Sequence, residues 1–244
     1  MDNSWVGAPN DVRHGAEAVK ALATKNDFQY WSATDGVTKV SLERWREAQR
    51  FECDGWLKHW SHAASDRHEE HFNGFNGYYV VPKHLRSVIE IGCGPFTQLS
   101  TILRNRTATS ITLVDPLLEQ YRQLPHCPYA TGQYLGYTPT LRACMAEDVK
   151  DVEAFDVVIC INVLEHVMDA TVVLDNLYNM LKPRGVLVFG ERWHDSYDPR
   201  ENFDIGHPII VRKSILDAFK RRFYDIYDRN EYFVGIKYAS TRNQ

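Results

Sequence analysis

The spacing of apolar residues changes character along the chain. Between residues 41 and 60, Leu42, Trp45, Cys53, Trp56, Leu57 and Trp60 recur at three- and four-residue steps, which places them on one face of a helix. Ser41 stands just ahead with a side-chain oxygen suited to an N-cap, and Glu43 and Arg44 fill the first turn. An aromatic face of this kind has to dock, either as ordinary packing on a main domain or as a cover over a ligand pocket. A weaker helical pattern covers residues 12–23. After His84 the pattern turns to strand, helix, strand, helix, which predicts a parallel sheet with helices on both faces. Strands are expected at Val88–Ile91, at Ser110–Val114 and in the buried run from Ala154 to Asn162. Asp169–Leu181 predicts a crossover helix through Val173, Leu174, Leu177 and Met180. Residues 211–238 predict a helix with Ile215, Leu216 and Phe219 inward, then two strands broken at Asp228-Arg229-Asn230. Residues 125–140 hold Tyr129, Tyr134, Tyr137, three prolines and two glycines, too much for a plain connection, so a functional loop or a short extra element is expected.

This pattern divides the 244 residues into a helical extension, 1–84, and an α/β domain, 85–244. A net charge of −4 argues against a nucleic-acid substrate, which calls for a basic surface. The five cysteines, at 53, 93, 127, 144 and 160, are odd in number and form no CxxC pair. Free thiols in a reducing compartment are expected, not disulfides or a zinc site. The first residues carry neither a basic start nor an apolar stretch, and no apolar run is long enough to span a bilayer, so a cytoplasmic protein without membrane insertion is expected.

The candidate chemistry starts at Val88-Ile89-Glu90-Ile91-Gly92-Cys93-Gly94-Pro95, an apolar strand that runs through an acid into a glycine turn. Gly92 and Gly94 let the backbone turn tightly and approach a ligand, and the helical spacing of Leu99, Ile102 and Leu103 sets a helix start beside it. A dinucleotide site would want a third glycine where Thr97 stands, and Glu90 would repel a pyrophosphate. A cationic, amino-acid-bearing cofactor would welcome that carboxylate.

Glu90-Ile91-Gly92-Cys93-Gly94-Pro95 resembles the first motif of the class I S-adenosylmethionine-dependent methyltransferases. Further motifs follow in the family's order: Asp115-Pro116 after the second strand, Ala146-Glu147-Asp148 after the third, Asn162 and Leu164-Glu165-His166 after the fourth, and Leu181-Lys182-Pro183-Arg184-Gly185 before the fifth. The match spans residues 87–191, and Arg184 replaces a usual glycine, a change expected to cost little in a turn. The resemblance implies an α/β, Rossmann-like, doubly wound sheet of seven strands, mostly parallel, with an antiparallel C-terminal strand. It implies S-adenosyl-L-methionine as cofactor, with Glu90 toward the methionine amino group on a turn formed by Gly92, Cys93 and Gly94. Asp115, with Pro116 after it, would take the ribose, Ala146 and Glu147 the adenine, and Asn162 the methionine side.

No such signature marks the catalytic base. The candidates lie after the fifth strand, in 191–198 and 203–208, where ligands bind in open α/β sheets. A histidine suits general-base work near neutrality. His207, followed by Pro208 and close to Asp204, is favoured over His194, while His166 is read as structural or next to the cofactor. No tight ligand spacing supports a metal, and none is expected. The chain lacks the Pro-Pro-Tyr/Phe motif of amino-methylating nucleic-acid enzymes, and His126-Cys127-Pro128 reverses the order needed for covalent cytosine methylation. The expected activity is O- or N-methylation of a small molecule or sugar. The alternatives are an RNA-modifying enzyme and a catalytically inactive, cofactor-binding partner subunit.

Overall fold

The structure is a computed structural model that describes residues 36–58, 81–196 and 204–239. The helix expected at 12–23, Trp60 and the polar residues 197–203 lie outside the described residues. In chain order the elements are α1 (Leu42–Lys58), β1 (His84–Ile91), α2 (Leu99–Ile102), β2 (Thr107–Val114), α3 (Leu118–Tyr121), β3 (Thr140–Arg142) and β4 (Phe155–Ile161). They continue with α4 (Ala170–Met180), β5 (Leu181–Gly190), α5 (Lys213–Lys220), β6 (Phe223–Arg229) and β7 (Tyr232–Lys237). Single turns of 3-10 helix, Ala146–Asp148 and Leu164–His166, follow β3 and β4.

The seven strands form one sheet in the order β3-β2-β1-β4-β5-β7-β6, parallel from β3 to β5, with β7 antiparallel to both its neighbours. This is the expected architecture. Strand order reverses between β1 and β4, so a crevice opens at the carboxyl ends of those two strands. Central strands are apolar on both sides because both faces are covered. Ile89 and Val158 feed one buried cluster and Val88 and Val157 the other, as successive side chains of a strand must.

The described part of the extension is fastened to this sheet domain. Val37 and Ile210 exchange backbone hydrogen bonds of 3.0 and 2.8 Å, and Lys39 Nζ lies 3.1 Å from Asp169 Oδ2. Ser41 Oγ accepts from Arg44 N at 3.2 Å, the expected cap of α1. Residues 125–140 are a packed element: Tyr129 is fully buried, and Tyr134 and Tyr137 close a tight hairpin with backbone bonds of 2.9 and 2.8 Å. Its turn residues Leu135 and Gly136 take φ of 51° and 81°, the geometry such two-residue turns require. All five cysteines are free, and among the described residues no helix is long and apolar enough to cross a membrane.

One expectation needs correction. Pairing of β4 with β5 jumps from Phe155↔Leu181 to Val157↔Val186, so Lys182 to Gly185 loop out of the ladder. Arg184 sits there at φ 64°, where a Cβ crowds the backbone, so replacing the glycine does carry a cost. Arg184→Gly is expected to raise the unfolding free energy by up to about 1 kcal/mol, the relief being partly offset by the freer unfolded chain. Asp169 caps α4, its Oδ1 accepting from Thr171 N and Val172 N, both at 3.2 Å, and from Thr171 Oγ1 at 2.7 Å. Asp169→Ala should therefore lower the unfolding free energy by about 1–2 kcal/mol. Urea denaturation of both variants checks the signs, and an unchanged midpoint in either refutes its half.

Candidate functional site

The crevice is built by a glycine turn clasped between two acids. Gly92 follows β1 at φ 66°, and a Cβ on it would meet Val163 Cγ2 at 2.4 Å, so only glycine lets the ends of β1 and β4 approach this closely. Gly94, at φ 54°, differs: among the described residues a Cβ there would meet nothing within 4 Å, so none of them closes the turn on that side. Asp115, at the end of β2, accepts from Gly94 N at 3.0 Å and from Leu117 N at 2.8 Å. Glu90 accepts from Gln98 N at 2.8 Å and from the Thr97 hydroxyl.

Thr97 stands where a third glycine would fall. It adopts φ 46°, unusual for a β-branched residue, and is held there by its hydroxyl's bond to Glu90 and by its backbone N–H, which donates to Cys93 O at 2.9 Å. Burial pushes the Glu90 carboxyl up to about 8, outweighing the hydrogen bonds from Thr97 and Gln98, and pushes that of Asp115 up to about 6. Beside them, Gln98 Oε1 is buried without a hydrogen-bond partner among the described residues.

Other expected residues are placed less simply. Cys93 is buried with its Sγ 3.7 Å from the Tyr129 hydroxyl, and burial pushes its thiol up, so it is a packing residue and no nucleophile. Sequence reasoning missed the role of Tyr129, whose hydroxyl donates to Gly94 O and props the turn; the tyrosine-rich insertion was the available signal. Pro116 is half-buried next to Asp115. Glu147 Oε1 accepts from Met168 N at 2.7 Å and Asp169 N at 2.8 Å, so that carboxylate anchors the start of α4. Asn176 Nδ2 donates to Ala146 O at 3.1 Å and to Glu147 O at 3.0 Å, fixing the turn after β3. Asn162 closes β4 at φ 57° with its N–H on Gly190 O at 2.7 Å.

A second group of side chains gathers beyond β4 and β5. Glu191, 2% exposed, accepts from Val163 N at 3.0 Å and Leu164 N at 2.8 Å, which holds the turn Leu164–His166 in place. That turn presents Glu165 to three imidazoles. Nε2 of His207, His166 and His194 lie 3.5, 3.8 and 3.8 Å from its carboxylate oxygens. Burial alone would raise Glu165, but the histidines hold its carboxyl down at about 2. Burial and the Glu165 charge push the Glu191 carboxyl up, against the pull of the backbone amides bonded to it.

His207 Nδ1 lies 2.8 Å from Asp204 Oδ2. Burial would lower its pKa, but Asp204 and Glu165 carry it up to about 9. Helix α1 closes over the group, with Trp45 Nε1 and Gln49 Nε2 donating to His166 O at 3.1 and 3.0 Å and Arg44 Nη1 to Ile205 O at 2.9 Å. The sequence placed His194 and His207 in one loop; that both face the Glu165 carboxylate after β4 needed the fold.

Comparison with known proteins agrees with this geometry. Residues 89–187 match the family described as Methyltransferase domain. The ubiquinone biosynthesis O-methyltransferase of Pseudomonas putida strain F1 is 34% identical over 107 residues, 43% of this chain and 43% of that protein. That of Pseudomonas entomophila is 35% identical over 109 residues with the same coverage, so the chain spans less than half the length of these curated relatives. Among solved structures, the N-methyltransferase NodS from Bradyrhizobium japonicum, in complex with S-adenosyl-L-homocysteine, superposes with a TM-score of 0.57 at 14% identity, covering 80% of this chain and 98% of that one. An O-methyltransferase family protein from Burkholderia thailandensis gives 0.57 at 15% identity over 94% of this chain and 71% of that one. These last two show the fold alone. Residues 89–187 thus resemble a methyltransferase domain, and the sheet order and acid-clasped glycine turn that surround them agree with that match.

Proposed function

We propose that the chain binds S-adenosyl-L-methionine at the β1–β4 crevice and methylates a hydroxyl or amine of a small molecule or sugar. The observation that carries this is the glycine turn held between Glu90 and Asp115 with no described residue closing it over Gly94. The residues fit the cofactor's charge pattern: Glu90 and the unpartnered Gln98 Oε1 are acceptors for an amino group, and Asp115 is an acceptor for ribose hydroxyls. Ala146 would bound the adenine and Asn162 the methionine chain, with Pro116 shaping the ribose side; Glu147, already bonded to the α4 amides, would act through the turn it holds. The sulfonium supplies an activated methyl group, so the protein has to orient the acceptor, exclude water and, for a hydroxyl, take up a proton. The helical extension would serve as the cover, as the bonds from Trp45 and Gln49 to His166 O suggest. The five free thiols fit a cytoplasmic setting.

Of the two histidines, we favour His194 over His207 as the base. His207 is an imidazolium below about pH 9 and a poor proton acceptor near neutrality. His194, beside Glu165 and after β5, is the better base. The curated relatives' names, O-methyltransferases, support a hydroxyl acceptor.

Calorimetry with S-adenosylmethionine should show one site, which Asp115→Ala weakens by about 1–3 kcal/mol, the scale of a lost charge-assisted hydrogen bond. NADH should not compete, and wild-type affinity in the variant would remove Asp115 from the site.

Glu90 gives a pH prediction. It carries a proton below about 8 in the free protein, and a bound ammonium favours the carboxylate. Binding near pH 7 should therefore release a proton and tighten as pH rises toward 8. Buffers of unequal ionisation enthalpy read that proton directly, and it should vanish in Glu90→Gln. Equal heats in all buffers for the wild type would show that Glu90 does not face the cofactor's charge.

With labelled cofactor and panels of phenols, sugars, amines and RNA, turnover should appear on a small-molecule panel. His194→Ala should then lower the maximal rate on a hydroxyl acceptor roughly a hundredfold with cofactor affinity unchanged. Turnover on RNA alone, or cofactor binding without turnover, would select one of the other two readings.

A further inference from the structure

Three side chains outside the glycine turn converge in a way the cofactor reading does not use. Glu165, His166 and His207 each offer one ligand atom, and those atoms all lie within 4.8 Å of one another. The outer nitrogens of both imidazoles are engaged by oxygens that can only accept. His207 Nδ1 lies 2.8 Å from the Asp204 carboxylate, and His166 Nδ1 lies 3.2 Å from the Gly206 carbonyl. Both Nδ1 atoms therefore carry hydrogen, and both Nε2 atoms turn inward to the Glu165 carboxylate.

The inward contacts are too long for hydrogen bonds. His207 Nε2 stands 3.5 Å and His166 Nε2 3.8 Å from Glu165 Oε1, beyond the usual range for N–H···O. Ligands about 2.1 Å from a tetrahedral ion stand roughly 3.4 Å from one another, so an ion fits between these atoms after shifts of a few tenths of an ångström to about one. The rings lie 4.7 Å apart and are tilted by 58°, which leaves both nitrogens free to aim at a shared point. Asp204 behind His207 and a carbonyl behind His166 are the outer partners that orient metal-binding imidazoles.

We propose that Glu165, His166 and His207 form a binding site for one divalent first-row transition ion of the zinc and cobalt class, with Asp204 and the Gly206 carbonyl as its outer shell. Two imidazoles and a carboxylate suit such ions better than magnesium or calcium, which take oxygen ligands. Three protein ligands leave a position for water or an acceptor oxygen; this last role alone rests on the methyl-transfer reading. No ligand spacing marks the site along the chain, because His207 arrives from beyond β5, 41 positions after the adjacent pair's second member, His166.

The test titrates Co2+ into chelator-treated full-length protein and follows its visible d–d bands, with Zn2+ as competitor. One equivalent should bind with the intense spectrum of four- or five-coordinate cobalt, and Zn2+ should displace it. Glu165→Gln and His207→Asn should abolish the signal. Asp204→Asn, which keeps every ligand, should weaken binding about ten- to a hundredfold. His84→Asn, on an exposed histidine at the start of β1, should change nothing. Calorimetry with S-adenosylhomocysteine on the same samples reports the cofactor site separately. Absence of stoichiometric binding, binding that survives His207→Asn, or binding that Asp204→Asn leaves unweakened, would overturn the proposal and leave the group as an ion-pair cluster.

Discussion

The close approach of Gly92 to Val163 sets where everything functional can stand. A methyl group at residue 92 would press on Val163 at 2.4 Å, so the turns leaving β1 and β4 can meet only across a glycine. Because strand order reverses there, the meeting point is also where the crevice opens. Val163 is fixed in turn by its N–H on Glu191, at the end of β5, and Gly92 by its N–H on Val114 O, at the end of β2. Four parallel strands are thus tied at one end by a few short contacts. Displacing any of them moves both the glycine turn and the turn that presents Glu165.

Charge is distributed unevenly across that end of the sheet. Glu90, Asp115 and Glu191 are buried acids whose carboxyls are pushed up, whereas Glu165 and Asp204 are held low by histidines. The β1–β2 side therefore offers latent negative charge that a cation can draw out, while on the β4–β5 side the expressed charge of Glu165 and Asp204 stands beside the latent one of Glu191. Under the proposed function, a cationic cofactor would draw on the first side and an acceptor that must lose a proton on the second.

Much of this was legible in the sequence because it is local. The glycine turn, the acids two residues before it and at the end of β2, the Ser41 cap and the strand alternation all depend on neighbours in the chain. The rest depends on contacts between distant residues. Glu147 looked like a pocket acid, but an amide pair at the start of α4 lies within its reach. Cys93 could be read as part of the glycine turn, but nothing near it in the chain shows that Tyr129, 36 positions away, packs on it. The imidazoles could be named as polar loop residues, but nothing in their spacing shows that all three converge on Glu165. Arg184 shows a different limit: the turn was legible, while its positive φ and the cost that follows were not.

Helix α1 links the two halves to the extension. Its Trp45 and Gln49 bond the carbonyl of His166, its Arg44 bonds carbonyls of 204 and 205, and its Trp56 packs edge-on against Phe96 in the glycine turn, with ring centroids 5.3 Å apart. Most of these anchors are backbone oxygens of the loops that present Glu165, His166 and His207. A helix held in this way constrains the loops without occupying the imidazoles, so lifting it would loosen the histidine group and uncover the turn in one movement. The aromatic stripe and the polar residues beside it on α1 then answer to a single constraint, because the same face must seal apolar surface over Phe96 and satisfy exposed carbonyls over His166.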